Sequence, residues 1–511
     1  MSEAIKLIPN DEHNQTLISN VHPAEWINPE PAKQYNMVVI GAGTAGLVAA
    51  AGAAGVGAKV ALVERHLMGG DCLNVGCVPS KCLIRSSRAA ADIRDAGDFG
   101  ISVPDGVEVD FGAVMERLRR LRAEISTNDS AKRYRDELGV DLFIGEGKFT
   151  SPNSAEVDGK VLNFKKAVIA TGARAFELPV EGLADAGFLT NETVFSLTQR
   201  PGRLAVIGAG PLGCELAQAF RRLGSEVYIL EVGPQILPRE DRDAARIVEK
   251  AFEKDGVQIV LSCNIEKVEK TGNEKLLHLE CGSEKKVLPV DEILIGVGRV
   301  PNVDGMGLEA AGVQYDPRAG VIVDDKLRTT NPRIYAAGDI CSKYKFTHTA
   351  DASARIVIQN ALFWGRKKAS ALNIPWCTFT DPEIAHVGMY EEDAKEKGID
   401  VHTITIPMAD VDRAIADGEK EGMVRIHLKK GTDKILGATI VARHAGEMIS
   451  EISVAMQAKL GLGAISGVIH PYPTQAEAIK RAADAYSRTR LTPTIKGIFD
   501  RILRFQRGGL A

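Results

Sequence analysis

The sequence predicts an α/β fold in which one strand–glycine turn–helix–strand unit is used twice, and three observations carry that expectation. Met37–Ile40 is an apolar run that leads into Gly41-Ala42-Gly43-Thr44-Ala45-Gly46, an alanine-rich stretch, and a second apolar run, Lys59–Val63, ending on Glu64. Arg203–Ile207 leads in the same way into Gly208-Ala209-Gly210-Pro211-Leu212-Gly213, and then to Val227–Leu230 and Glu231. In both copies the acid falls about 18 positions after the third glycine, the spacing a dinucleotide fingerprint requires.

Each part of the unit has a physical reason. Short runs of Val, Ile and Leu ending at glycine read as strands covered on both faces, as in a parallel sheet. The glycines permit a tight turn and close backbone approach to a pyrophosphate at a helix N-terminus, while Glu64 and Glu231 can accept from ribose hydroxyls. The repeat reads as an internal duplication. Two dinucleotide sites imply two dinucleotides, and the simplest pair is a flavin with a nicotinamide. After Glu231 the chain reads Val232-Gly233-Pro234-Gln235, with no arginine to receive a 2′-phosphate. A carboxylate repels that group, so NADH rather than NADPH is expected.

The linking stretches follow. Phe111–Leu138 has helical periodicity, with Val114, Leu118, Leu121 and Ile125 on one stripe, and reads as a helix covering a core. Short strands end in Ala170-Thr171-Gly172, and a later run ends in Gly296-Val297-Gly298-Arg299. The last of the set is Ala336-Ala337-Gly338-Asp339, where Gly338 permits backbone approach and Asp339 offers a carboxylate to a hydroxyl-bearing chain. Residues 1–35 are polar and irregular and read as an arm lying on the body or on a partner subunit.

Totals exclude several classes. At 511 residues the chain is too long for a single core and predicts about three domains. With 45% hydrophobic and 25% charged residues and a net charge of −4, nothing favours nucleic acid or an acidic polymer as partner. The uncharged run Met37–Ala58 is mostly glycine and alanine, so no transmembrane helix is expected, and the N-terminus lacks the apolar core of a signal segment. A cytoplasmic location is the expectation. The eight cysteines (72, 77, 82, 214, 263, 281, 341 and 377) lack a Cys-x-x-Cys, so no metal site is expected. In a reducing compartment scattered cysteines are buried thiols. Only Cys72 and Cys77, five positions apart between glycines and followed by Lys81, have a setting for redox chemistry. Two thiols that close can form a disulfide, and a nearby lysine favours a thiolate.

The two fingerprints, the Cys-x4-Cys segment, Ala170-Thr171-Gly172 and Ala337-Gly338-Asp339 together resemble the pyridine nucleotide-disulfide oxidoreductases, which include dihydrolipoamide dehydrogenase, glutathione reductase and mercuric reductase. The resemblance runs from Asn36 to about Tyr486. It implies an FAD domain in two parts (36–185 and 305–375), an inserted NAD(P) domain (186–304), and a C-terminal α+β domain (376–486) forming a homodimer interface. By position it implies that Cys77 faces the flavin as charge-transfer thiolate and that Cys72 is the interchange thiol. It also implies that Lys81 approaches flavin N5 and pairs with Glu215. Gly41, Gly43, Gly46, Glu64, Thr171, Gly172 and Asp339 would serve FAD, and Gly208, Gly210, Gly213, Glu231 and Gly298 the nicotinamide dinucleotide.

The output side departs from the family pattern. Disulfide reductases carry His-Pro-Thr with a glutamate a few residues on, the imidazole handling the proton of the interchange thiol. Here the segment is His470-Pro471-Tyr472-Pro473-Thr474-Gln475-Ala476-Glu477, which puts Tyr472 at the base position. A phenol, with an ordinary pKa of about 10, is a poor base at neutral pH. The resemblance also implies a cis bond before Pro471, a kink that could redirect His470, two residues early, toward the site; the favoured reading of His470 is a structural hydrogen-bonding residue. Tyrosine in this region resembles mercuric reductase, yet the vicinal cysteines of that enzyme's C-terminus are lacking in Arg507–Ala511. In the tail (487–511), Ile495, Ile498, Phe499, Ile502 and Phe505 alternate with Lys496, Arg501, Arg504 and Arg507. That is a basic amphipathic helix, suited to weak contact with an anionic membrane surface or to docking on the dimer.

The expected activity is an FAD-dependent oxidoreductase that passes electrons from NADH through flavin to Cys72 and Cys77, then to a small disulfide, a metal ion or another small-molecule acceptor. The alternatives are an NADH oxidase or quinone-type diaphorase, or a flavin-bearing redox sensor at a membrane.

Overall fold

Met37, Val38 and Val39 are wholly buried, as are Val60, Ala61 and Leu62, because each strand is covered on both faces. This is a computed structural model, and it describes residues 5–508. Met1–Ala4 of the expected arm and Gly509–Ala511 of the expected tail lie outside the described residues. The chain forms two units. The first runs to Ile236 and takes in Asp255–Leu372, and the second is Leu237–Lys254 with the chain from Asn373 onward.

The first unit opens with α1 (Glu12–Val21), then β1 (Tyr35–Ile40), α2 (Thr44–Gly55) and β2 (Val60–Glu64). Next come α3 (Cys77–Arg94), α4 (Phe111–Ile125), β3 (Asp141–Ile144) and the long β4 (Lys160–Ile169). The second fingerprint is β5 (Arg203–Ile207), α5 (Pro211–Arg222) and β6 (Glu226–Glu231), followed by β7 (Gln258–Leu261). An antiparallel meander β8 (Cys263–Thr271), β9 (Glu274–Cys281) and β10 (Glu284–Val290) leads to β11 (Glu292–Ile295). The chain then returns through β12 (Ile334–Ala336) and α6 (Thr347–Leu362).

Two sheets with parallel strands result, in the orders β3-β2-β1-β4-β12 and β7-β6-β5-β11, the first extended from β4 by two antiparallel strands, Ser154–Val157 and Lys148–Ser151. In both, the fingerprint strand has the acid-bearing strand on one side and a later strand on the other, so both glycine turns emerge at the carboxyl end of a central strand. The third glycine of each turn has no room for a side chain. A Cβ on Gly46 would lie 1.7 Å from the Gly41 carbonyl oxygen, and one on Gly213 would lie 2.1 Å from that of Gly208. The small residues of α2 admit α6 closely, since a Cβ on Gly52 would meet Ile358 at 2.5 Å.

α4 corrects the expected stripe. The helix ends at Ile125 and buries Phe111, Met115, Leu118, Arg119, Arg122 and Ala123, while Ile125 is exposed. The rotation follows from what the arm supplies. Arg119 Nε donates to Asp11 at 2.5 Å, and Arg122 donates to Asn14 Oδ1 at 2.6 Å and to the Asn74 carbonyl at 2.7 Å. Buried guanidinium groups supplied with such partners can occupy a face that apolar periodicity assigns to solvent. The arm also covers the edge strand β3: Asn28 accepts from Ile144 N at 2.7 Å and donates to its carbonyl at 2.9 Å.

In the second unit a five-stranded sheet has the order β13-β14-β17-β16-β15, from β13 (Pro375–Thr378), β14 (Glu383–Gly388), β15 (Val401–Pro407), β16 (Met423–Lys429) and β17 (Ile435–Ala442). Its apolar face, with Val424, Ile426, Ala438 and Ile440, shares a core with α7 (Ala445–Gln457) and α8 (Glu477–Thr489). The tail forms α9 (Pro493–Gln506), capped by Thr492, with Ile498, Phe499, Ile502, Leu503 and Phe505 exposed. No helix among the described residues is long and apolar enough to cross a membrane.

Candidate active site

A cavity of about 1010 Å³ lies in the first unit at the carboxyl end of the first sheet. Gly41 and Gly43 line it with Glu64 and His66, Cys72 and Cys77 form another part of its wall, and Thr171, Gly172 and Gly338-Asp339 complete it. Its glycine walls are closed to side chains: a Cβ on Gly41 would fall 2.4 Å from the Ala170 carbonyl oxygen, and one on Gly70 would fall 2.7 Å from Gly43 Cα. Backbone is thereby bared to a long ligand with a pyrophosphate, and FAD fits the cradle.

The two acids are held alike. Glu64 accepts from Ala42 N at 2.6 Å and from His66 N at 2.8 Å, while Glu231 accepts from Ala209 N at 2.8 Å and from Gly233 N at 2.9 Å. Each carboxylate thus ties its glycine turn to the end of the neighbouring strand. Burial pushes the Glu64 carboxyl up, against the two backbone donors.

Cys72 and Cys77 are thiols in this structure, the reduced form of the expected couple. Cys77 heads α3, and its sulfur lies 3.3 Å from Thr347 Oγ1 at the start of α6. The neighbouring Cys72 sulfur holds Cys77 well below the usual thiol range, assisted by Thr347 and the Lys81 ammonium. Cys77, with burial, pushes Cys72 up. The two sulfurs are thus polarised in opposite senses, Cys77 toward thiolate and Cys72 toward thiol. Lys81 lies one turn along α3 and donates to Glu215 of α5 at 2.8 Å, so that pair joins the two fingerprint units.

Some wall residues went unassigned from sequence. Arg299 forms an ion pair with Asp71, and its Nε lies 3.7 Å from Asp339. Burial pushes Asp339 up and Arg299 down, each partly offset by the other. Leu7 and Leu17 of the arm line the cavity too. The sequence signal for Arg299 was its place after Gly298; for the arm there was none.

The remaining predicted residues, His470, Tyr472 and Glu477, lie in the second unit. His470 is held by Glu451 at 2.9 Å, and its other ring nitrogen lies 3.2 Å from the Val468 carbonyl. Tyr472 is exposed and donates to Asp412 at 2.8 Å, which pushes its phenol further up. Glu477 accepts from Arg481 at 3.0 Å, and its other oxygen is buried without a hydrogen-bond partner. The cis bond is Tyr472–Pro473, and the His470–Pro471 bond expected to be cis is not among the cis peptides. Both are X-Pro bonds, for which either isomer is accessible, so sequence does not choose between them.

The cysteine reading needs a second correction. Cys263 and Cys281, expected to be thiols, form a disulfide. They are 18 positions apart in sequence, but antiparallel pairing of β8 and β9 makes them register partners. No cluster of three or more metal-ligating side chains occurs among the described residues.

Residues 35–354 match the pyridine nucleotide-disulphide oxidoreductase family, and residues 374–483 match its dimerisation domain. The chain belongs to this family. It is 34% identical to mercuric reductase from Lysinibacillus sphaericus, over 96% of this chain and 89% of that one. To dihydrolipoyl dehydrogenase from Bacillus subtilis (strain 168) it is 35% identical, over 88% and 96%. The HOCl-induced flavoprotein disulfide reductase RclA from Escherichia coli superposes with a TM-score of 0.79 at 30% identity, covering 88% of this chain and 99% of that one.

As a pyridine nucleotide-disulfide oxidoreductase the chain is a flavin-dependent enzyme, using FAD and a nicotinamide dinucleotide with a thiol pair as electron relay. The oxidase and sensor alternatives are not favoured by these relatives, which are disulfide reductases and their kin. The dimerisation domain supports a homodimer.

Proposed function

We propose that the enzyme takes electrons from NADH and delivers them through Cys72 to a small disulfide or a thiophilic metal ion, an acceptor that needs no histidine base. The glycine cradle with Glu64 and Asp339 would hold FAD, which would supply two-electron transfer between the dinucleotide's hydride and the disulfide form of Cys72 and Cys77. The observation that carries the reading is the placement of Cys72 and Cys77 in the wall of the glycine-lined cavity, with Cys77 Sγ 3.3 Å from Thr347 Oγ1 and Lys81 one turn along α3; the pair is polarised, Cys77 down and Cys72 up. Cys77 then serves as the flavin-side sulfur, and Cys72 meets the acceptor, giving up its proton to water as its sulfur bonds. Lys81, held by Glu215, keeps a positive charge beside the thiolate. Glu64 and Asp339 bind hydroxyls of FAD, Glu231 binds a ribose diol of NADH, and Gly298 serves the same dinucleotide.

On the output side the mercuric and lipoyl relatives name two acceptor classes. Tyr472 and Glu477 supply a hydrogen-bonding surface rather than a base, and His470 has a structural role on Glu451. A metal ion displaces the Cys72 proton to water as it binds the sulfur, so no imidazole is required to take it, which favours the metal class for this chain.

Anaerobic titration with NADH tests the electron-input half. A long-wavelength absorbance band should grow and be lost in Cys77→Ser; its absence from the parent protein rejects the relay. Turnover with Hg(II), lipoamide and glutathione disulfide, with NADH and NADPH as alternative donors, ranks the acceptors and the donors. Tyr472→His should raise disulfide turnover by about 10²-fold or more, toward the range of about 10²–10⁴ that a general base supplies. For α9 we propose weak contact with an anionic membrane surface, on the strength of its exposed apolar face and basic residues. Equal liposome flotation of the full chain and a form ending at Arg490 rejects that contact.

A further inference from the structure

The disulfide Cys263–Cys281 lies apart from the cavity that holds the thiol pair, at the root of the meander in the second nucleotide unit. β7 ends at Leu261, whose register partner on β6 is Glu231. Ser262 follows with a left-handed φ of 54°, and its N–H donates to the Gly233 carbonyl at 3.0 Å. Gly233 in turn donates its N–H to Glu231, and Glu231 also receives the N–H of Ala209 in the glycine turn. Cys263 is the next residue after Ser262. A continuous path thus runs from the disulfide through Ser262 and Gly233 to the carboxylate and the fingerprint turn.

Ser262 is a non-glycine residue in the left-handed region, a conformation that persists only when its surroundings enforce it. On its C-terminal side that enforcement includes the covalent tie of Cys263 to Cys281, with Cα atoms 4.2 Å apart. Cys263 is buried and Cys281 is half-buried, so the Cys281 sulfur is the one a small thiol can reach.

We propose that Cys263 and Cys281 are a second redox couple, a thiol–disulfide site that sets how firmly the Glu231 segment is held for the nicotinamide dinucleotide. The inference rests on the reading of Glu231 as the ribose-binding acid. The chemistry is thiol–disulfide exchange. The thiolate of a small dithiol attacks Cys281 Sγ, the Cys263–Cys281 bond breaks, and Cys263 leaves as a thiolate that takes a proton. The dithiol's second sulfur then displaces Cys281, giving two protein thiols and one cyclic disulfide. The reverse, with a small disulfide as two-electron oxidant, remakes the bond and releases two small thiols. Opening the bond frees the residues on either side of Ser262, so the ordering they lose must be supplied again when nucleotide binds. The reduced form therefore binds the dinucleotide more weakly.

The test uses the full-length FAD-loaded protein and ADP-ribose, which carries the adenosine ribose but cannot exchange hydride. Affinity is measured by calorimetry in dithiothreitol and in glutathione disulfide, with alkylation and peptide mass mapping of residues 263 and 281 in each buffer. The mapped bond should open in the first buffer and close in the second, with affinity about fivefold weaker when open. In the Cys263→Ser/Cys281→Ser double variant the difference between buffers should vanish, which separates this couple from Cys72 and Cys77. Equal affinity in the parent protein while the bond opens overturns the proposal without use of any variant, and so does a pair that maps as thiols in both buffers. Glu231→Gln gives the independent check. If it leaves ADP-ribose affinity unchanged, the ribose reading fails and the clamp falls with it; if it weakens binding while the redox state does not, the clamp alone is wrong.

Discussion

The two neighbouring thiols are pushed in opposite senses by their own proximity. The Cys72 sulfur holds Cys77 down, and Cys77 with burial holds Cys72 up. The pH dependence follows with a definite sign. A lowered pKa keeps Cys77 ionised from high pH down through the ordinary thiol range near 8.5, and the thiolate is lost only as pH falls through the lowered value. The long-wavelength band of the NADH-reduced enzyme should therefore persist at neutral pH and fade on acidification. Lys81→Met removes one of the charges that hold the thiolate, and should move the fading to higher pH in a spectrophotometric titration.

Among the elements, the two fingerprint helices make separable predictions. In Gly46→Ala the new methyl meets the Gly41 carbonyl, so the first turn cannot keep its shape and FAD should be lost on purification. In Gly213→Ala the same clash falls on Gly208. FAD should then remain bound while the rate of flavin reduction by NADH falls at least tenfold in stopped-flow. The arm makes a third prediction. Arg122 links Asn14 of α1 to the Asn74 carbonyl, which lies at the end of the short helix Gly70–Asn74, between the redox thiols. Asn14→Ala withdraws a partner from a buried guanidinium and should cost about 1–3 kcal/mol in chemical denaturation. It should also raise the rate of FAD release, because Leu17 of the same helix lines the cavity.

The whole molecule is built for a partner copy. The dimerisation domain carries the segment from His470 to Glu477, and one oxygen of Glu477 is buried without a hydrogen-bond partner. A second subunit could satisfy such an atom. Sedimentation should give the mass of two 54.9 kDa chains, and the form ending at Arg490 should remain a dimer, since the matched domain ends at residue 483.

Much of the input half was legible before any folding was considered. Strand, glycine turn, helix and acid are local in sequence, and their chemistry requires fixed spacing, so Gly41–Glu64 and Gly208–Glu231 could be read directly. Cys72, Cys77 and Lys81 lie within one short stretch for the same reason. What only the tertiary structure decided depends on contacts between residues far apart. Apolar periodicity could not show that Arg119 and Arg122 face inward, because their partners come from the arm about a hundred residues earlier. Spacing could not pair Cys263 with Cys281, because strand register rather than sequence distance brings them together. Nor could it show Thr347 beside Cys77, or Arg299 between Asp71 and Asp339, since sheet and helix packing bring those segments to the cavity. Sequence determined the residues whose partners lie within one unit of local structure, and tertiary structure determined those whose partners arrive through the fold.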